Sequence, residues 1–429
     1  MAKGFRRLPG FRDFAPEDFA ARAHVFEVWR RVSRCYGFAE YDGPPLEPLD
    51  LYVEKSGREI VGQLYSFRDK GERDVSLRPE MTPSLARILA ERSRSLPKPI
   101  RWFSVPQLFR YERQQRGRLR EHFQWNVDIV GEEAVAADAE ILAVALDGLR
   151  ELGLTDTDVR ARVSDRRLLT ALLRALGVGE AQTLDAFTVI DKLEFEDPER
   201  SRERLANEVG MSPEGAAELL SLLAGGLGDV SARFPGRADV TEAEARLREY
   251  VAMLEAMGLG AYVELDLRIV RGLAYYTGIV FEIFDRRRGL RAICGGGRYD
   301  RLFELVGGSP LPAVGFGMGD VVLTELLREH ALLPDATRSV DYYVVPVSAE
   351  ERPRALELAH ALRVRGRSVT YSLRQQSVGK QFKMAAAQGA RRVIVLGPAE
   401  LERGMAVLRD MTSGEECDVD LEELVEDDR

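Results

Sequence analysis

The chain has 429 residues, 45% of them hydrophobic and 31% charged, with a formal net charge of −9 and a pI near 5.4. That length supports two or three domains with a sizeable core, and no apolar run reaches the ~20 residues that a membrane helix needs. The basic start Met1-Ala-Lys-Gly-Phe-Arg-Arg7 has no apolar segment behind it, so no secretory signal is visible.

Cys35, Cys294 and Cys417 are scattered and form no CxxC pair. They fit a reducing compartment and argue against a disulfide framework or a structural zinc. His24, His122, His330 and His360 show no metal-ligand spacing either. The composition therefore predicts a soluble cytoplasmic protein with no membrane segment and no protein-held metal. The acidic balance alone disfavours a nucleic-acid partner, but the charge is unevenly spread. Arg352 to Arg392 holds ten Lys/Arg against one acid, Glu357, and Arg101 to Arg120 holds six arginines against Glu112. Such islands suit localised phosphate contacts, although each alone also suits a solvated basic face.

In chain order, the apolar spacing of Phe19, Val25, Phe26, Trp29 and Val32 predicts a helix from Pro16 to about Tyr36. Turns follow at Gly37 and Gly43-Pro44-Pro45, then a hairpin pairs Tyr65–Phe67 with Val75–Leu77. A helix is expected over Pro83–Ser93. Strands are expected over Ile100–Phe109 and Trp125–Val130, bracketing an arginine-rich loop, Arg113 to Arg120. A helix over Ala134–Leu152 and a strand over Val159–Val163 come next. Residues 166–250, rich in Leu, Ala, Glu and Arg, read as a helical insertion. Strands return at Tyr262–Ile269 and Ile279–Phe284, and a helix over Asp320–Leu332 closes a first domain, residues 1–333. After a linker, Pro334 to Ser339, a second domain over 340–429 alternates strands and helices: Tyr342–Val347, Arg352–Val364, Ser368–Tyr371, Val378–Gln388 and Arg392–Leu396.

Three segments carry chemistry. Arg271-Gly-Leu-Ala-Tyr-Tyr-Thr-Gly-Ile-Val-Phe-Glu282 sets an arginine and two tyrosines before a strand-like run, with Gly295-Gly-Gly-Arg-Tyr-Asp300 close behind. An arginine fork binds carboxylate or phosphate oxygens, and tyrosine hydroxyls read a small polar ring. In Phe109 to Gln124 five arginines crowd a loop with Gly117 at its tip, which a polyanion would satisfy. Leu77-Arg-Pro-Glu-Met-Thr82 reads by default as a strand-end turn with a surface glutamate. Gln124 and Asp128 are four residues apart on a strand and so share a face. The triple glycine lacks the lysine and spacing of a phosphate loop and marks close backbone approach instead.

These segments together resemble the histidyl-tRNA synthetases, class II aminoacyl-tRNA synthetases, over about Pro9 to Leu408. The resemblance implies an α/β (α+β) fold: a class II core with a mostly antiparallel sheet, the helical insertion, and a C-terminal α/β anticodon-binding domain. Pro45 fits motif 1, which builds a homodimer. The implied activity uses ATP and Mg²⁺ to join L-histidine, through histidyl-adenylate, to the 3′ end of tRNA-His. Arg271 and Arg110 would be catalytic, with Arg110, Glu112 and Arg118 holding ATP. Glu80, Met81, Thr82, Arg110, Gln124, Asp128, Arg271, Tyr275, Tyr276 and Tyr299 would bind histidine. Asp128 stands where the family usually has glutamate.

Other departures are Val322 at the motif 3 arginine position, Ala274 before the tyrosine pair, Gln114 for a proline, and an inverted His122-Phe123 order. Two other classes share the resemblance: a histidine-sensing regulatory subunit of the ATP phosphoribosyltransferase type, and an RNA-binding protein with an inactive synthetase site. The C-terminal domain disfavours the first, and Val322 favours the second.

Overall fold

In the computed structural model, residues 5–56, 58–113, 115–225, 227–228, 230–271, 275–287, 289–305, 307–334 and 340–426 are described. Most of the expected linker, and with it Gln114 and Gly272 to Ala274, lies outside them. The chain divides into two compact units, Met1–Pro334 and Asp335–Arg429. Among the described residues no helix is long and apolar enough to cross a membrane.

The first unit is built on a nine-stranded sheet. Its central strands Glu121–Val130, Ala313–Gly319, Cys294–Arg298, Ile279–Asp285 and Val159–Asp165 run antiparallel to one another in turn. Only the edge strands Ala39–Glu40 and Val263–Leu265 pair in parallel. Strand alternation sends successive side chains to opposite faces, and here the two faces have different tasks. Trp125, Val127 and Ile129 point into the main core, where Trp125 stacks on Trp29 at 5.8 Å and meets Phe316 edge-on at 5.0 Å. The single donor of the Trp125 indole reaches Ser33 Oγ at 2.9 Å, so its burial leaves no unpaired N–H. Apart from Asp138 and Gly148, the buried residues of helix Val135–Glu151 are all Ala, Val, Leu or Ile, as suits a helix lying against this face. Its Gly148 meets Trp125 so closely that a Cβ there would fall 2.5 Å from the ring. Gln124, Asn126 and Asp128 point the other way.

The helical segment runs from Arg166 to Ala256, six residues beyond the expected 250, and joins two strands that lie side by side in the sheet. Leu205, Leu219, Leu223 and Leu247 share one core with Trp125, so the segment is packed into the unit instead of standing apart.

Several expected boundaries move for physical reasons. The strand expected over Ile100–Phe109 is two, Ile100–Ser104 and Gln107–Phe109, because Pro106 between them has no N–H to donate. The expected strand Tyr262–Ile269 shrinks to Val263–Leu265. Asp266 accepts the Arg268 N–H at 3.0 Å and the Arg268 guanidinium at 2.8 Å, which turns the chain there. Helix Asp320–Glu329 stops three residues short of Leu332, with Ala331 in the left-handed region (φ 54°).

In the second unit, strands Val369–Tyr371, Tyr342–Pro346 and Arg392–Leu396 pair in parallel, flanked by helices Arg352–Val364 and Val378–Ala387. Two further antiparallel strands, Met405–Asp410 and Glu416–Asp420, extend the sheet. The last of these is largely exposed and polar, so no alternation marked it in the sequence.

Arg298 and Asp138 are 1% and 2% exposed at their side chains. Arg298 gives Asp138 bonds of 2.6, 3.0 and 3.1 Å and reaches the Glu132 and Ala134 carbonyls with its remaining N–H groups. Removing one member of such a pair strands a buried charge. Asp138→Ala is therefore expected to lower the unfolding free energy in urea by about 3–5 kcal/mol. A loss below about 1 kcal/mol, the size of a surface pair, would contradict this reading.

Candidate active site

The site lies on the polar face of the central sheet. At its centre four glycines pair directly across two strands, Gly295 with Gly317 and Gly297 with Gly315, leaving a patch with no side chains. Three side chains singled out in the sequence lie over this patch. A Cβ on Gly295 would fall 1.3 Å from Arg271 Nη1, one on Gly315 would fall 2.1 Å from Asp128 Oδ1, and one on Gly317 would fall 2.7 Å from Gln124 Cδ. Gly297 opens room beside Tyr276, whose Cδ1 would be 3.0 Å from an added Cβ. The triple glycine is thus a strand element that lets Arg271 lie flat on the sheet, as close-approach glycines do.

Arg271 itself has φ 53°, unusual for a residue with a Cβ and characteristic of functional sites. Its Nη1 donates to the Phe281 carbonyl at 3.3 Å and lies 3.7 Å from Glu282, and its guanidinium sits 5.4 Å from the centre of the Tyr276 ring. Burial pushes the Glu282 carboxyl up, against the pull of Arg271. Tyr275 packs on Tyr276 at 4.8 Å and edge-on to Tyr299 at 5.9 Å. The Tyr299 hydroxyl donates to Asp128. Burial, reinforced by the Asp128 charge, holds that phenol protonated well above its ordinary range. Glu80 lies near enough to raise both Tyr275 and Tyr276, after burial itself.

The turn expected to carry a surface glutamate instead buries Glu80, which is 9% exposed. Arg78 explains this. It is buried and donates to Asp42 Oδ1 at 2.7 Å, the Gly43 carbonyl at 2.6 Å and the Gln107 carbonyl at 3.1 Å, pulling the turn inward. Met81 is fully buried and packs beside Arg78 and Gly43, so its side chain belongs to the support of the site. Thr82 opens helix Thr82–Arg92. Arg110 Nε donates to the Pro79 carbonyl at 3.0 Å, which ties the arginine loop to the same turn. Beyond it, Arg118 pairs with Glu112 at 2.8 Å, and Gly117 takes φ 73° at the loop tip.

The structure thus gathers Glu80, Asp128, Arg271, Tyr275, Tyr276 and Tyr299 into one cluster, with Gln124 beside it. Arg110, Glu112 and Arg118 line the adjoining loop. Three members of this face had no role in the sequence reading: Asn126, His122 and Glu282. Alternation from Gln124 and Asp128 would have found the first two, since 122, 124, 126 and 128 share a face. Glu282 pairs directly with Gly295.

Residues 10–320 match the family model described as histidyl-tRNA synthetase, and residues 341–427 match the anticodon binding domain. The chain is 43% identical over 428 residues to a histidine–tRNA ligase of Opitutus terrae, covering 98% of this chain and 97% of that one. It is 42% identical over 416 residues to the chloroplastic/mitochondrial histidine–tRNA ligase of Arabidopsis thaliana, covering 97% and 85%. The crystal structure of histidyl-tRNA synthetase from Nostoc sp. PCC 7120 matches with a TM-score of 0.84 at 25% identity, covering 99% and 98%.

His122 gives the site a measurable signature. Burial, then the charges of Arg110, Arg12 and Arg118, push its pKa from 6.5 down to about 3. The unfolded chain binds this proton at higher pH than the folded one, so the contribution to stability is complete above 6.5 and is lost as pH falls toward 3. Between about pH 7.5 and 5 the wild type should therefore lose more melting temperature than His122→Gln. Equal losses in thermal denaturation would show that His122 titrates normally.

Proposed function

The chain belongs to the histidyl-tRNA synthetase family, and on that premise we propose that it is a histidine–tRNA ligase. It would activate L-histidine with ATP to histidyl-adenylate and pass the histidyl group to the 3′ end of tRNA-His. The observation that carries the proposal is the glycine patch with Arg271 lying over it and Asp128 at its edge.

The amino acid fits between these groups. Glu80 and Gln124 would hold its ammonium, since a carboxylate beside an ammonium is a charge-assisted pair. Asp128, oriented by the Tyr299 hydroxyl, would accept from one imidazole nitrogen, with Tyr275 and Tyr276 closing the ring pocket. A buried carboxylate left without its partner is costly, so apolar look-alikes are rejected. Arg271 and Arg110 would flank the α-phosphate and stabilise the charge that develops as the histidine carboxylate attacks it. Catalysis of this kind rests on positioning and preorganised charge. Glu112 and Arg118 would hold ATP. Mg²⁺ would neutralise charge across the phosphates, and Glu112, on the loop that would hold ATP, is a carboxylate that would help hold it.

The second unit, with its basic helices Arg352–Val364 and Val378–Ala387, is the natural contact for the tRNA anticodon. Assembly as a cytoplasmic homodimer through the Pro45 region belongs to the same proposal.

ATP–pyrophosphate exchange across the twenty amino acids tests the assignment, with exchange expected for histidine alone. Arg271→Ala should keep the fold and reduce adenylate formation about a hundredfold or more, the scale of losing one preorganised donor. Near-normal adenylate formation by that variant would refute the role of Arg271, and exchange with a different amino acid would refute the specificity.

A further inference from the structure

Val322 leaves the first turn of helix Asp320–Glu329 without the arginine usual in the family, and the space it faces is filled. Val322 is 7% exposed, and the loop tip rests on it: a Cβ on Gly117 would be 3.1 Å from Val322 Cγ2. A second arginine approaches the same place from another element. Ile293 accepts the Gly319 N–H through its carbonyl at 3.3 Å, so the segment leading into strand Cys294–Arg298 runs beside the start of this helix. Arg291, on that segment, is exposed and donates to Gln115 Oε1 at 2.5 Å.

The charges around it are unbalanced. Arg116 is satisfied by Glu325 at 2.5 Å and Glu329 at 2.7 Å on the outer side of the helix. Arg118 has Glu112, and among the described residues Arg291 pairs with no carboxylate. Burial lowers the proton affinity of Arg118, Glu112 pulls it back up, and the charges of Arg291 and Arg110 push it down again, so both of these arginines lie near Arg118. A neutral amide is a weak partner for a guanidinium, and a phosphate replaces it with a charge-assisted, bidentate one.

We propose that Arg291 binds the distal phosphates of ATP, taking the place left by Val322 and exchanging Gln115 for the nucleotide when it binds. The inference rests on the synthetase reading above. It assigns to the segment that leads into the strand neighbouring the motif 3 strand a contact that the helix of motif 3 does not make.

The test is histidine-dependent ATP–pyrophosphate exchange on the full chain, comparing wild type, Arg291→Ala and Arg291→Lys. Arg291 is exposed, so neither change disturbs the core. Arg291→Ala should raise KM for ATP about ten- to a hundredfold, the cost of one hydrogen bond to a charged group, while KM for histidine stays at the wild-type value. Arg291→Lys should fall between the two, because it restores charge without the fork. An unchanged KM for ATP overturns the proposal. A parallel rise for ATP and histidine with a lowered melting temperature also overturns it, since that is a structural effect. Wild type that exchanges with no amino acid would remove the synthetase reading itself, and with it this contact.

Discussion

A sheet without side chains at its centre is the constraint on which the site depends. Gly295, Gly297, Gly315 and Gly317 form two cross-strand pairs, and each would collide with a site residue or its support if it carried a Cβ. Glycine in a strand costs roughly 0.5–1 kcal/mol in conformational freedom. The reverse face offsets that cost. Phe281 and Phe316 pair with Gly296 from either side and join the Trp125 cluster, so the glycine strands are held by their neighbours' side chains. What the patch provides is depth: a planar guanidinium and a short carboxylate can lie directly against the backbone.

One strand serves both faces. Along Glu121–Val130 the odd positions Trp125, Val127 and Ile129 fasten the sheet to its helices, and the even positions Gln124, Asn126 and Asp128 face the pocket. A slip of one residue would bury Asp128 in the core and expose Trp125. Function and stability therefore constrain the same register. The buried pair Asp138–Arg298 acts in the same sense, fixing the strand that carries Gly295 and Tyr299 to the helix beneath it.

Much of this was legible in the sequence, for identifiable reasons. Arg271, the two tyrosines and Glu282 stand in one short segment, and Gln124 and Asp128 announce their common face by spacing. The close-approach reading of the triple glycine followed from its position in a strand. Other features needed three dimensions. The burial of Glu80 comes from Arg78 bonding to Asp42 and Gly43, which are distant in sequence. Gly-Gly-Gly-Arg-Tyr-Asp looked like one functional unit, yet Arg298 serves the core, Tyr299 the pocket, and Asp300 a bond to Arg167. The depressed His122 titration arises first from burial, then from Arg110 and Arg118 on the arginine loop and Arg12 near the N-terminus. The last strand, Glu416–Asp420, was invisible because it is largely exposed and carries no apolar alternation.

The claim that the glycine patch places Arg271 is tested most directly by Gly295→Ala in the histidine-dependent exchange assay, with thermal denaturation alongside. The added methyl meets only the end of a flexible side chain, so the fold can accommodate it by moving the guanidinium off the sheet. The account predicts a melting temperature near that of the wild type and a loss of exchange approaching that of a variant lacking the arginine. Full exchange activity in a folded Gly295→Ala protein would contradict it, because Arg271 would then act from somewhere other than the surface of these strands.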